Sequence, residues 1–189
     1  MCGPSFVLGH IRLAADDEIQ RQRHLCVHCA AAWIGTPFFH DGAVKSAGCD
    51  CSHLGMAYSE ALQVKITWPT KYIVNPQWFM HADPASGEFK EIYLEGLLDN
   101  GFVELSDGQP NFQPFRADAW IDAKKDVGDV VIARLGRLFA HGAIIEDWPN
   151  VIQAEPYICG RGKVVRATAQ ANYFLNHRPL RFFSWKGWH

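Results

Sequence analysis

The chain has no long run of apolar residues and no long run of charges of one sign. It has 189 residues, a formal net charge of −2 and 48% hydrophobic residues. Without a basic stretch it lacks the electrostatic footprint of a nucleic-acid-binding protein. Without a long apolar run we expect neither a signal peptide nor a membrane span, and therefore synthesis in a cytoplasm.

The cysteines do not suggest a disulfide framework. Six are present, at positions 2, 26, 29, 49, 51 and 159, and a reducing cytosol would keep them as free thiols. His24, Cys26, His28 and Cys29 invite a metal interpretation within a predicted helix. A structural zinc site usually needs a second ligand pair or a compact knuckle, and buried thiols on a helix face are commoner. We therefore expect no metal and no organic cofactor, with Cys49 either a loop residue or one half of a resting disulfide.

Helical patterns occupy the first half of the chain and strand patterns the last third. Helices are predicted from Asp16 to Trp33, from about Cys51, and around Phe89 to Leu97, with loops at 38–50, 64–86 and 106–126. Strands are predicted at Asp129 to Leu135, Ala140 to Glu146 and Val151 to Glu155, more weakly at Val164-Val165 and Leu180 to Ser184, with a turn at Asp147 to Asn150. This order indicates an α+β fold, and the length suits a single domain.

Cys51 is the main candidate for a catalytic residue. It lies at a predicted helix start with Asp50 as the N-cap, and a helix N-terminus stabilises a thiolate. His141, on a predicted strand, could accept the thiol proton or pair with the thiolate. A third polar group usually orients such an imidazole, and Gln153 would face His141 directly if the hairpin is centred near Asp147. Both Cys51 and His141 also have an ordinary structural interpretation, as a buried thiol and a satisfied strand residue.

Several segments follow one another in the order and with the spacing of a known family. They are Trp33 to Gly42, Gly48 to Leu54, Tyr72 to Trp78, Gly128 to Val131, His141 to Ile145, Val151 to Ala154 and Leu180 to Phe183. Together they resemble the NlpC-type cysteine peptidases, which are papain-like cell-wall hydrolases. The phage tail and prophage branch is the most similar, because there a Gly-Thr-Pro-aromatic block leads through a short basic loop to Asp-Cys. The resemblance covers about residues 17–184 of one domain, 1–189.

The resemblance implies a fold, a reaction and a site. The fold would be papain-like, with N-terminal helices packed on a C-terminal antiparallel sheet. Cys51 would be the nucleophile, His141 the general base and Gln153 the third polar residue. The substrate would be the peptide stem of bacterial peptidoglycan, cut after γ-D-glutamate through a Cys51 acyl-enzyme, with the Cys51 backbone N–H holding the oxyanion. Oxyanion or groove positions would fall to Ser52, His53, Phe38 and His40.

Three departures from the family pattern keep other functions open. Gln153 cannot carry a charge, so it would stabilise an imidazolium less than a carboxylate would. Phe38 stands where the family often has a tyrosine whose hydroxyl lines the site, and His53 replaces a small residue. These favour a second hypothesis, a phage tail-assembly component with the same fold and little or no catalysis. A third is an amidase or acyltransferase acting on another acyl substrate. The partners implied are peptidoglycan stem peptides and phage tail proteins, with location in the bacterial cytoplasm or the virion tail.

Overall fold

The computed structural model describes residues 5–68, 80–82, 86–105, 125–156, 162–176 and 178–189, with side chains from residue 15 onward. Within these ranges the helices are α1 (Ser5–Ala31), α2 (Met56–Leu62) and α3 (Ile92–Asp99). Short 3-10 turns lie at His53–Gly55 and Lys186–Trp188. No helix in these ranges is long and apolar enough to cross a bilayer. The predicted loop at 106–126, the segment from Tyr72 to Trp78, Cys2 and Cys159 lie wholly or largely outside them.

The strands form a small hairpin and one large antiparallel sheet. The hairpin pairs β1 (Ala43–Val44) with β2 (Gly48–Cys49). The sheet contains β3 (Phe102–Glu104), β4 (Val130–Leu135), β5 (Leu138–Asp147), β6 (Asn150–Glu155), β7 (Lys163–Thr168) and β8 (Leu180–Trp185), in the order β3-β8-β4-β5-β6-β7. The prediction of an α+β fold, with N-terminal helices on a C-terminal antiparallel sheet, is confirmed.

Apolar residues cover both faces of the sheet. Successive residues of β4 alternate between two clusters, as the period of a strand requires. Val130 and Ile132 pack with the helices, where the buried partners include Cys26, Ala30, Leu54, Ala57, Tyr58, Tyr93 and Leu97. Val131 and Ala133 pack on the other face with Leu175, Leu180 and Phe182. Burial on both faces explains why β4 reads as a continuous apolar run rather than an alternating one.

The first helix starts earlier than predicted. α1 begins at Ser5 rather than Asp16, so the acidic residues 16–18 lie within the helix rather than in its first turn. The preceding segment contains Leu8, Leu13, Ala14 and Ala15, which are strong helix formers. Their propensity extends the helix past the charges that suggested a start. The helix ends close to the predicted boundary, before Gly35, whose φ of +89° glycine adopts readily.

The predicted loop at 38–50 contains the β1–β2 hairpin. Two-residue strands are too short to produce an alternating pattern, so the sequence offers no signal for them. Gly42 permits the tight approach, because a Cβ there would lie 2.6 Å from the carbonyl carbon of Gly48. The hairpin leads from the end of α1 back to Asp50 and Cys51.

Candidate active site

Cys51 lies in a turn between β2 and the 3-10 turn that precedes α2. Cys51 is buried, with 8% of the residue exposed. The helix was expected to begin at Cys51, but regular structure begins at His53 and α2 itself only at Met56. The helix starts later because the Asp50 carboxylate holds the backbone of Ser52 and His53 in a tight turn.

Asp50 was predicted as an N-cap, but the N-cap positions of the 3-10 turn and of α2 are Ser52 and Gly55, and Asp50 instead holds the turn before them. Its Oδ1 accepts hydrogen bonds from the Ser52 N–H at 3.0 Å, the Ser52 hydroxyl at 2.7 Å and the His53 N–H at 2.9 Å. Burial alone would raise the pKa of this carboxyl, but the hydrogen bonds and charge of His53, together with Ser52, lower it below its usual value. Asp50 is therefore a buried carboxylate that fixes the turn containing Cys51.

The predicted groove residues gather around this carboxylate. The His53 imidazole lies between Asp50, whose Oδ1 is 3.0 Å from Nδ1, and Asp41, whose Oδ1 is 3.5 Å from Nε2. His40 Nδ1 is 3.9 Å from Asp50 Oδ2. Since the Ser52 hydroxyl also donates to Asp50, Ser52, His53 and His40 all help to hold the turn in place.

Phe38, the other predicted groove residue, is half-buried in the loop before Cys51. Its backbone N–H donates to the Gly162 carbonyl at 2.7 Å, and Phe38 also forms a bridge to Cys49. A Cβ at Gly162 would lie 2.9 Å from the Phe38 Cβ. Phe38 therefore joins the loop before Cys51 to the start of β7.

The structure brings His141 and Gln153 into direct contact. The distance from His141 Nε2 to Gln153 Oε1 is 2.8 Å, and both residues are buried. The expected register is wrong, because Gln153 pairs with Ala143 rather than with His141. The turn is centred on Trp148-Pro149, and the pairing shifts between residues 145 and 147. The two side chains meet diagonally, which their length allows.

His141 is an enclosed, neutral imidazole at neutral pH. It is 1% exposed, and its ring lies 4.8 Å from that of Phe174. Burial lowers the pKa of His141 to about 4; the hydrogen bond to Gln153 acts in the opposite direction, and the charge of Arg178 lowers the pKa further. A neutral imidazole has one nitrogen free to accept a proton.

The thiol lies against the strand segment that carries His141. Cys51 Sγ is 3.9 Å from the Ala140 carbonyl oxygen, which belongs to the peptide bond joining Ala140 to His141. Within the described part of the chain, no hydrogen bond joins Sγ to the imidazole. Catalytic hydrogen bonds are often long or poorly aligned without substrate. The thiol thus contacts the backbone next to His141, whereas the imidazole lies on the same sheet face as Ala133 and Ala143, away from the helices, where it bonds to Gln153.

Tyr93 is part of the site, although the sequence analysis does not identify it. Its hydroxyl donates to the Cys51 carbonyl at 2.9 Å. A Cβ on Gly142, the residue after His141, would lie 2.1 Å from the same hydroxyl oxygen. Tyr93 therefore touches the segments of both candidate catalytic residues. In the sequence it is one apolar position of a helical stripe, which gives no hint of this contact.

Burial disfavours the thiolate form of the other three described cysteines. Burial raises the pKa of Cys26 to about 12, and it also raises the pKa values of Cys29 and Cys49. None of the four described cysteines forms a disulfide. His24 and His28 are exposed whereas Cys26 is buried, and no group of three or more potential metal ligands occurs in the described ranges.

Comparison of the sequence with protein families and with curated proteins gives no match. Among solved structures, the chain is similar to the crystal structure of the NlpC/p60 domain of the peptidoglycan hydrolase SagA. The two share 18% sequence identity with a TM-score of 0.46, over 84% of this chain and 96% of that one. A likeness this distant carries no information on activity, so function must follow from the residues of the chain itself.

Proposed function

We propose that the protein is a cysteine peptidase of the NlpC type that hydrolyses amide bonds in the peptide stem of bacterial peptidoglycan, after γ-D-glutamate. The observations that carry the proposal are the buried hydrogen bond of 2.8 Å between His141 Nε2 and Gln153 Oε1 and the contact of the Cys51 thiol with the Ala140 carbonyl, one residue before His141. A thiol, an imidazole and an orienting amide are the components of a cysteine nucleophile. The substrate class comes from the sequence resemblance.

The first half of the reaction forms an acyl-enzyme. The Cys51 thiol exchanges its contact with the Ala140 carbonyl for one with His141 Nδ1 and transfers its proton there. The sulfur then bonds to the carbonyl carbon of the scissile amide, while the Cys51 backbone N–H stabilises the oxyanion. The C–N bond breaks as the imidazolium returns the proton to the leaving amine, and a thioester remains.

The second half regenerates the thiol. Water attacks the thioester carbon and gives a proton to His141, the C–S bond breaks, and the proton passes to the sulfur as the carboxylic acid leaves. Burial lowers the pKa of His141 to about 4, so the imidazole is neutral and can accept a proton at pH 7, but it is a weaker base than an ordinary imidazole, whose pKa lies closer to the operating pH. Gln153 stabilises the transient imidazolium through its amide oxygen.

Mass spectrometry of purified peptidoglycan and defined stem peptides after incubation with the protein tests this proposal. We expect new fragments with the wild type and none with Cys51→Ala. Cys49→Ala is the matched control, because it removes a buried thiol two positions away and should leave the fragments unchanged. Fragments that persist in Cys51→Ala would contradict the assignment of the nucleophile.

A second candidate is a phage tail component with this fold and no catalysis. It is favoured by the 8% exposure of Cys51 and by the position of the His141 imidazole on the sheet face away from the helices. It predicts that Cys51 does not react with iodoacetamide at neutral pH and that the protein binds tail-tip proteins stably. Rapid alkylation of Cys51, ahead of Cys26 and Cys49, would rule out this candidate.

A further inference from the structure

A series of hydrogen-bonded polar side chains begins at His141, passes through Gln153 and continues to Glu155 and Asn172. Gln153 Nε2 donates to Glu155 Oε1 at 2.9 Å, and Asn172 Nδ2 donates to the same oxygen at 2.5 Å. Gln153 and Glu155 are two residues apart on β6 and so lie on the same face of the sheet. The candidate catalytic imidazole is thus linked through one amide to a carboxylate that no step of the reaction above uses.

The chemistry of the carboxylate sets the direction of these hydrogen bonds. An ionised carboxylate only accepts hydrogen bonds, so Gln153 must present its amide nitrogen to Glu155. The amide oxygen then faces His141, and that oxygen can only accept. His141 must therefore carry its proton on Nε2. Its Nδ1 keeps a lone pair, as the acceptor of a thiol proton requires.

The other end of the chain is fixed independently. The Phe174 backbone N–H, which can only donate, bonds to Asn172 Oδ1 at 2.8 Å. Asn172 must then turn its nitrogen towards Glu155, as observed. The Phe174 ring also packs on the His141 ring at 4.8 Å, so the chain of contacts returns to the imidazole. Asn172 thus lies between a group that only donates and a group that only accepts, whereas the orientation of Gln153 is set by Glu155.

We propose that Glu155 is a positioning residue that orients the Gln153 amide and so holds His141 in the tautomer protonated on Nε2. This role rests on the proposed function of Cys51 and His141. Such a residue is needed because the third residue is a glutamine, whose amide can lie in either of two orientations. Its two ends are nearly equal in size and opposite in hydrogen-bonding character. A reversed Gln153 would donate to Nε2 and leave the proton on Nδ1, where it would block transfer from the thiol.

Two substitutions at Glu155 test the proposal, with a third as control. Glu155→Gln keeps the size but can donate as well as accept, and Glu155→Leu removes the acceptor. Glu146→Gln is the matched control, because it removes the same charge from β5, where Glu146 pairs with Arg166 at the surface. Long-range proton–nitrogen NMR at pH 7 reports the tautomer directly, and the signals lost in His141→Gln assign it.

We expect one tautomer of His141, protonated on Nε2, in the wild type and in Glu146→Gln. In both Glu155 variants the Nδ1-protonated form should appear, and alkylation of Cys51 should slow by roughly tenfold to a hundredfold, as for other residues that orient a functional histidine. An unchanged tautomer with unchanged alkylation in Glu155→Gln would overturn the proposal, even if Glu155→Leu fails to fold. Neither readout needs a substrate, so a tautomer change in a protein without peptidase activity would refute the proposed function alone.

Discussion

At the scale of single residues, Tyr93 shows how a buried hydroxyl can hold the backbone of a candidate catalytic residue in position. It is 3% exposed, and its hydroxyl donates to the Cys51 carbonyl. In Tyr93→Phe we expect kcat to fall with little change in KM, because the ring remains and the position of Cys51 relaxes. The free energy of unfolding should fall by about 1 kcal/mol for the lost bond.

Tyr58→Phe is the control for this prediction. Tyr58 is fully buried, and its hydroxyl donates to the Gly128 carbonyl, away from Cys51. Steady-state kinetics and urea unfolding of both variants should show similar losses of stability but a loss of kcat only in Tyr93→Phe. An equal loss of kcat in both variants would mean that Tyr93 contributes to the stability of the fold alone.

Gly142 gives a second test of the same contact. A Cβ at this position would lie 2.1 Å from the Tyr93 hydroxyl oxygen, so either β5 or α3 must shift in Gly142→Ala. We expect a loss of stability of about 1–3 kcal/mol, typical of overpacking, and a large loss of activity. Gly55→Ala is the control, since its Cβ would meet its nearest neighbour at 3.8 Å. Thermal unfolding and peptide cleavage measure both, and a Gly142→Ala protein with normal values would refute the contact.

Single residues also show what could be predicted from the sequence. Cys51, His141 and Gln153 could be proposed as site residues because their types, order and surroundings match a known chemistry, and the structure brings His141 and Gln153 together. Glu155 carried a signal, since the period of a strand places it on the same face as Gln153. Tyr93 and Asn172 carried none, because their roles depend on contacts between segments far apart in the chain.

At the scale of elements, the long strands were predictable and the short ones were not. β4, β5, β6 and β8 lie within a few residues of their predicted bounds, because each carries several consecutive apolar or β-branched residues. β3 and the β1–β2 hairpin have only two or three residues per strand, too few for a pattern. The register of β5 and β6 depends on the position of the turn and on a shift in pairing, and neither is visible in composition.

The attachment of α1 to the sheet yields a prediction at this scale. Arg23 Nη1 is 2.7 Å from Asp129 Oδ1, with 5% and 1% of these residues exposed, and Nη2 donates to the Ser184 hydroxyl. Removing one partner leaves a buried, unpaired charge, so Arg23→Met should cost about 3–5 kcal/mol of unfolding free energy.

Arg21→Met on the same helix is the control for the buried ion pair. Arg21 pairs with Glu18 at the surface, where its side chain is 77% exposed, and such pairs are worth about 0–1 kcal/mol. Urea unfolding measures both variants. Equal stabilities of Arg23→Met and Arg21→Met would show that the Arg23–Asp129 pair does not anchor α1.

At the scale of the whole molecule, the site forms where the helical half of the chain meets the strand half. The first half supplies the Cys51 thiol, the Asp50 carboxylate and the Tyr93 hydroxyl. The second half supplies the His141 imidazole and the side chains hydrogen-bonded in series from it, Gln153 and Glu155. No local segment contains the site, so it depends on the folding of the entire sheet. The stability of the fold and the protonation of the His141 imidazole are therefore coupled.

This coupling predicts how stability depends on pH. The pKa of His141 is lowered to about 4 by burial, whereas an exposed histidine has a pKa of about 6.5. Between these values the unfolded chain binds a proton that the folded protein does not, so the contribution of His141 to stability is complete above about pH 6.5 and is lost as pH falls to about 4. The slope approaches about 1.4 kcal/mol per pH unit, a total of roughly 3 kcal/mol.

Urea unfolding of the wild type and of His141→Gln across this range isolates the effect of the histidine. Carboxylates such as Asp50, whose pKa is lowered by its hydrogen bonds despite burial, also lose stabilising interactions in acid, but they do so in both proteins. The difference in unfolding free energy between the two proteins should therefore shift steadily against the wild type as pH falls from about 6.5 to about 4. A difference that stays constant would mean that His141 titrates in the folded protein as it does in water.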